Sequence, residues 1–197
     1  MARRQDATAG PRAAMTASAV ALIRQRGVAA TSFADVLAHS GAPRGSIYHH
    51  FPGGKTQLID EATRSAADQL TGRIQRILDS ADTVTAIRSF VDLWRHELEA
   101  TGYVAGCPIV AAALGTEASA RDLAGQSFAR WSEMIAARLV RDGVAPVRAA
   151  TLATMFVGAL EGGLILAQAQ RSAAPLDAVV DELELLCRTA GAVTPAE

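Results

Sequence analysis

Cysteine is scarce in this chain: Cys107 and Cys187 are the two in 197 residues, with 79 residues between them. That is neither a disulfide-dense scaffold nor a zinc-ligand spacing, so reduced thiols are expected. Lysine is scarcer still, with Lys55 alone against 18 arginines, a bias that suggests a GC-rich genome. No apolar run approaches the ~20 residues that span a bilayer, and the start MARRQDATAGPR lacks the apolar centre of a signal peptide. The expectation is a soluble cytoplasmic protein with no membrane partner. No phosphate-binding glycine loop, metal-ligand spacing or Ser/His/Asp arrangement is written here, so neither an enzyme nor a cofactor is expected. Strand-like alternation, repeats and low-complexity tracts are missing too, which leaves an all-α fold.

What is present is apolar and unevenly charged. Hydrophobic residues make up 50% of the chain, ample for a core in one large or two small domains. The formal net charge of −1 hides an asymmetry. Residues 1–55 hold Arg3, Arg4, Arg12, Arg24, Arg26, Arg44 and Lys55 against Asp6 and Asp35, a balance of +5; the remainder carries −6. A basic head on an acidic body is what phosphate attraction would select, although a chance excess of arginine gives the same sum.

The motif lies in that basic part, TSFADVLAHSGAPRGSIYHHFPGGK over 31–55. Ser32 with Asp35 makes an N-cap and capping-box pair, and Phe33, Val36 and Leu37 follow at helical spacing. Gly41 stops this first helix. Pro43, suited to a first helical position, predicts a second helix over 43–50. Upstream, Met15, Ala19, Leu22 and Ile23 repeat at i, i+4, i+7 and i+8, predicting an amphipathic helix over 12–26 that ends at Gly27. Three short helices with a tight glycine turn before the last describe a helix-turn-helix, whose second motif helix enters the DNA major groove. Leu22, Ile23, Phe33, Val36, Leu37 and Ile47 are its expected core. Residues 1–10 read as a polar arm that is either solvated or, through Arg3 and Arg4, in touch with DNA.

This pattern resembles the DNA-binding region of TetR-family transcriptional regulators, in which a Tyr-x-His-Phe run ends the recognition helix and a Lys opens the next; here these are Tyr48, His50, Phe51 and Lys55. The resemblance covers about residues 12–60. Gly53 and Gly54 depart from it, standing where Ser or Asn often caps the following helix, so that cap is left to backbone or a phosphate. Arg44 is the candidate for a bidentate guanine contact, with Ser46 and His49 as further base readers. Gly45 permits close approach, while Tyr48 can reach a phosphate or a thymine methyl and His50 a phosphate. Lys55 and the positive end of its helix also favour phosphate. With Ser32 these form the candidate DNA-facing set, whereas His39 is expected to face solvent.

From Lys55 the apolar pattern runs unbroken through Leu58, Ile59, Ala62, Ala66, Leu70, Ile74, Ile77 and Leu78, so one long helix is expected to join the DNA-binding domain (1–55) to the rest (56–197). Asp79, Ser80 and Asp82 end it. Helices are predicted over 82–101, 107–117, 119–142, 146–171 and 176–190. The segments Gly106–Ala112 and Ala159–Ala167 resemble the LmrA/YxaF-like branch of the family. Phe90, Trp94, Val110, Leu114, Trp131, Met134, Met155 and Phe156 by themselves read as core. The resemblance implies instead an apolar cavity among the middle helices, a ligand-binding and dimerisation domain that takes a small apolar effector.

Glu161, set between Leu160 and Gly162 in an apolar helix, is open to three readings: a counter-charge for a cationic ligand, a partner for an arginine, or a solvent-facing group. Cys107, placed just before a helix start, joins the candidate ligand set and also supports a rival reading as a redox-sensing thiol. Small and apolar stripes on the last two helices, Ala150, Thr154, Gly158 and Gly162 on one and Val179, Leu183, Leu186 and Ala190 on the other, predict a homodimer. Two heads would then read a near-palindromic double-stranded operator. The resemblance implies a repressor that its effector releases.

Overall fold

The computed structural model describes residues 10–43, 45–80 and 82–191, so Arg3, Arg4 and Arg44 lie outside the described residues. Within them the chain forms nine helices and no strand. Helix α1 (Pro11–Arg26) takes Pro11 at its first turn, where the missing N–H costs nothing, and closes on Gly27, whose φ of +80° only glycine adopts freely. Its stripe Met15, Ala19, Leu22 and Ile23 is buried as the spacing predicts. Helix α2 (Phe33–Ser40) begins at the full capping box: the Asp35 N–H donates to Ser32 Oγ, and the Ser32 N–H returns a bond to Asp35 Oδ2. Gly41, at φ +69°, ends it in the left-handed region.

Helix α3 (Ser46–His50) is shorter than the sequence predicts. Pro43 opens a turn instead of the helix, because its carbonyl accepts from both the Ser46 N–H at 3.0 Å and Ser46 Oγ at 2.7 Å. Helix α4 (Gly54–Ser80) is 27 residues long, about 40 Å at the usual rise. Its cap is supplied by Gln57, whose Oε1 accepts from the Gly53 N–H at 2.8 Å. Backbone contributes as expected, the Gly54 N–H donating to the Phe51 carbonyl at 3.0 Å. Leu58, Ile59, Ala62, Ala66, Leu70, Ile74 and Leu78 give α4 one buried face along its length.

The body consists of α5 (Thr83–Ala100), α6 (Pro108–Ala113), α7 (Ala118–Arg141), α8 (Pro146–Gln170) and α9 (Ala174–Thr189). Helix α8 packs between α7 and α9, α4 packs on α7, and α5 packs on α9. Helix α6 stops at Ala113 and not at 117, since Gly115 turns the chain by bonding back to the Ala112 carbonyl. Helix α8 revises the expectation about apolar runs: at 25 residues, with an 18-residue stretch of mean hydropathy 1.6, it could cross a membrane by length and composition. Those properties do not distinguish a span from a core helix, and Leu152, Phe156, Leu160, Leu164 and Ala167 are packed in the core.

The stripes read as dimer faces divide. On α8, Ala150, Thr154 and Gly158 are exposed and Gly162 is half-buried. On α9, Leu183 is only 2% exposed and Val179, Leu186 and Ala190 pack against the protomer's own core. The outward face of α9 instead carries Leu185, one register step away and half exposed.

Candidate nucleic-acid interface and ligand cavity

Two inward side chains hold α3 in place. Ile47 and Phe51 are fully buried, and the Arg12 guanidinium lies 5.4 Å from the Phe51 ring centre while pairing with Glu61 of α4. With 47 and 51 turned in, helical geometry turns Gly45, Tyr48 and His49 outward, and these are exposed; Ser46 and His50 are half-buried on the flanks. Tyr48 is two-thirds exposed yet oriented, its ring standing edge-on to Phe33 with centroids 5.5 Å apart. His49 and His50 are in edge contact with each other.

Two side chains are less free than their motif suggests. Ser32 Oγ is occupied by Asp35, with which it also shares a 2.6 Å bond. These bonds, with lesser help from Arg26, hold the Asp35 carboxyl below the usual carboxylate range. Lys55 donates to the Ala29 carbonyl at 3.2 Å, tying the start of α4 to the loop after α1 and leaving its other N–H bonds for a phosphate. His39 is exposed, as expected, with its Nδ1 lying 3.0 Å from the buried Ser18 hydroxyl.

The joint between head and body was not visible in the sequence. Arg24, in the last turn of α1, and Gly106, before α6, exchange two bonds: the Gly106 N–H donates to the Arg24 carbonyl and Arg24 Nε to the Gly106 carbonyl, both at 2.9 Å. Arg24 also pairs with Glu97 of α5, which takes a second bond from Arg73 of α4 at 2.7 Å. Burial works to raise the Glu97 carboxyl, but its two arginines outweigh that and hold it below the ordinary range. At the start of α4, Thr56 donates to Glu117 and Asp60 accepts from Ser119.

Two small cavities flank Glu161 of α8. The first, about 60 Å³, lies among α4, α5, α7 and α8 and is walled by apolar groups that include Ile74, Ala86, Phe90, Trp131, Phe156 and Leu160. Trp131 is fixed there by its indole N–H, which donates to Thr71 at 2.8 Å. The second, about 120 Å³, opens at the joint between the end of α1, α6 and α8, with Arg24, Gly106, Cys107, Val110 and Gln168 in its wall. Glu161 borders both. Its Oε2 is fully shielded and has no hydrogen-bond partner. Burial pushes the Glu161 carboxyl up to about 7, partly offset by a hydrogen bond from Cys107.

Of the ten residues read as ligand contacts, Phe90, Trp131, Phe156 and Glu161 meet at the first cavity, and Cys107 and Val110 join Glu161 at the second. Four do not line either. Leu114 is 80% exposed because α6 ends before it. Met155 points out from α8 beside its small-residue stripe and is 39% exposed. Met134 is one position out of register, and its neighbour Ile135 lines the cavity. Trp94 is buried under the Arg24 guanidinium at the joint, 5.5 Å from ring centre to Cζ. Cys107 does not form the reactive thiolate that its place before α6 suggested: burial first, and then the Glu161 charge, push its thiol well above the ordinary value.

Comparison with known proteins agrees with this geometry. The family model for bacterial regulatory proteins of the tetR family matches residues 16–62, and that for the C-terminal domain of LmrA/YxaF-like transcriptional regulators matches residues 83–182. A helix-turn-helix-type transcriptional regulator of Mycobacterium tuberculosis is 41% identical over 185 residues, covering 90% of this chain and 94% of that one. The regulator YxaF of Bacillus subtilis is 30% identical over 174 residues, covering 86% and 91%. Among solved structures, a TetR transcriptional regulator from Legionella pneumophila superposes with a TM-score of 0.80 at 22% identity, over 92% of this chain and 99% of that one, which speaks to the fold.

Proposed function

The chain belongs to the TetR family of transcriptional regulators, with a C-terminal domain of the LmrA/YxaF-like type, and from this we propose that it is a homodimeric repressor, released from a near-palindromic operator by a small apolar effector. It acts in the cytoplasm, on double-stranded DNA. The face of α3 made by Gly45, Ser46, Tyr48, His49 and His50, together with Arg44, reads the major groove, and Lys55 and the start of α2 at Ser32 sit on the flanking backbone. Dimerisation uses the outward faces of α8 and α9, where Val147, Met155, Leu166 and Leu185 expose apolar surface that a second copy would cover.

The observation that carries the reading is the pair of hydrogen bonds between Arg24 and Gly106, one residue from Cys107 in the cavity wall. An effector that enlarges the cavities moves α6 and α8, and those bonds, with the Arg24–Glu97–Arg73 chain, pass the movement to α1 and α4. The heads of the dimer then settle at a spacing that no longer matches successive major grooves. Such coupling is reciprocal, so operator DNA must weaken effector binding by the factor by which effector weakens operator binding. Equilibrium titrations of each in the presence of saturating amounts of the other test this; an effector affinity unchanged by operator would contradict it.

A further inference from the structure

Resting on the reading of these cavities as the effector site, we propose that the effector is a cation: a compact apolar body carrying a protonated amine, whose N–H groups bond Glu161. The acceptor is already built. Glu161 Oε2 is completely shielded, has no hydrogen-bond partner, and borders both cavities. Native proteins seldom leave such an atom unpaired, because a buried acceptor without a donor forfeits its hydration with no return. The neighbour that the carboxyl does have is the Cys107 thiol, a weak neutral donor that brings no charge.

The surroundings select charge as well as hydrogen bonding. In the wall of the first cavity the other polar side chain is Thr83, whose hydroxyl is spent on Asp142 at 2.5 Å. At the second cavity Arg24 is the cation within reach, and its guanidinium is committed to Glu97 and the Gly106 carbonyl. Glu161 therefore has no ion-pair partner among the described residues. An anionic ligand would meet a carboxylate with no compensating charge, and a neutral one would leave the carboxylate desolvated and uncompensated. An ammonium supplies both the missing donor and the missing charge. Size limits the rest: the two cavities, about 60 and 120 Å³, are each smaller than the ~150 Å³ that admits one benzene ring, so a single ring is the most that fits and it must push the walls apart to enter. With the ring among Phe90, Trp131 and Phe156, the amine would lie at Glu161, facing the joint with the head.

The test is a matched pair of probes, 2-phenylethylamine and its neutral isostere 2-phenylethanol, titrated calorimetrically into the full-length protein at pH 7.5. The amine should bind about tenfold more tightly or better, as a charge-assisted bond would give. Glu161→Gln, which keeps the shape, should abolish that preference while leaving the alcohol's affinity unchanged. Ala86→Leu, which fills the first cavity, should abolish binding of both; thermal unfolding checks that each variant is folded. Equal binding of amine and alcohol, or a preference that survives Glu161→Gln, overturns the cation inference and leaves the cavity reading standing. Binding of neither probe, or binding unaffected by Ala86→Leu, overturns both.

Discussion

Replacing Glu161 by glutamine should stabilise the protein, and by an amount that depends on pH. Burial raises the Glu161 carboxyl from 4.5 to about 7, so the folded state binds this proton more tightly than the unfolded chain does. Between those two values the folded state carries more protons, and stability therefore falls as pH rises through the window. The contribution is complete below about 4.5 and fully lost above about 7. At about 1.4 kcal/mol per pH unit, the ionised carboxylate costs the folded state about 3 kcal/mol at pH 8. Glutamine carries no such charge. Wild type and Glu161→Gln should accordingly unfold at nearly the same temperature at pH 5, while at pH 8 the variant should gain roughly 6–12 °C, given about 2–4 °C per kcal/mol for a chain of this size. The carboxylates held low elsewhere, such as Asp142 and Glu184, are common to both proteins and cancel in the difference. Differential scanning calorimetry at the two pH values and one protomer concentration measures the gap. A gap that is independent of pH, or a variant less stable at pH 8, would refute the assignment of Glu161 as a buried, uncompensated carboxyl.

Other outcomes follow from the head and the outer faces. Arg44→Ala should weaken operator binding by about 1–3 kcal/mol and relax preference at one base, as loss of a bidentate guanine contact does; equal weakening across all operator variants would make Arg44 a phosphate contact. Ser32→Ala removes the α2 capping box and should cost about 1 kcal/mol in urea unfolding. Leu166→Glu with Leu185→Glu places charges on the outward faces of α8 and α9 and should shift sedimentation equilibrium from dimer to monomer. A dimer of unchanged strength would place the interface elsewhere.

The residues that were legible in the sequence are those whose role is local. Ser32 and Asp35 cap α2, Gly27 and Gly41 end α1 and α2, and the stripe from Leu58 to Leu78 makes α4 one rod, because caps, glycine φ values and helical period are all written within a few residues. The misses are tertiary. Nothing near Arg24 in sequence indicates Gly106 or Glu97, 82 and 73 positions away, yet these bonds form the joint. Periodicity marked Leu183 as apolar but could not say whether it faced a second copy or its own core. Met134 and Leu114 failed for smaller reasons, a register step and an early helix end, which decide orientation without changing composition. Glu161 was conspicuous as a carboxylate in an apolar helix, but its unpaired oxygen could be seen only in three dimensions.

The most direct test of the account is selection of bound sequences from random duplex DNA by the purified full-length protein, with gel-shift titration of the enriched site. The account predicts a near-palindromic site, occupied by two protomers, with half-sites separated by helical turns and an affinity that falls as salt rises. Failure to enrich any site, or enrichment of a single half-site bound by one protomer, would contradict it.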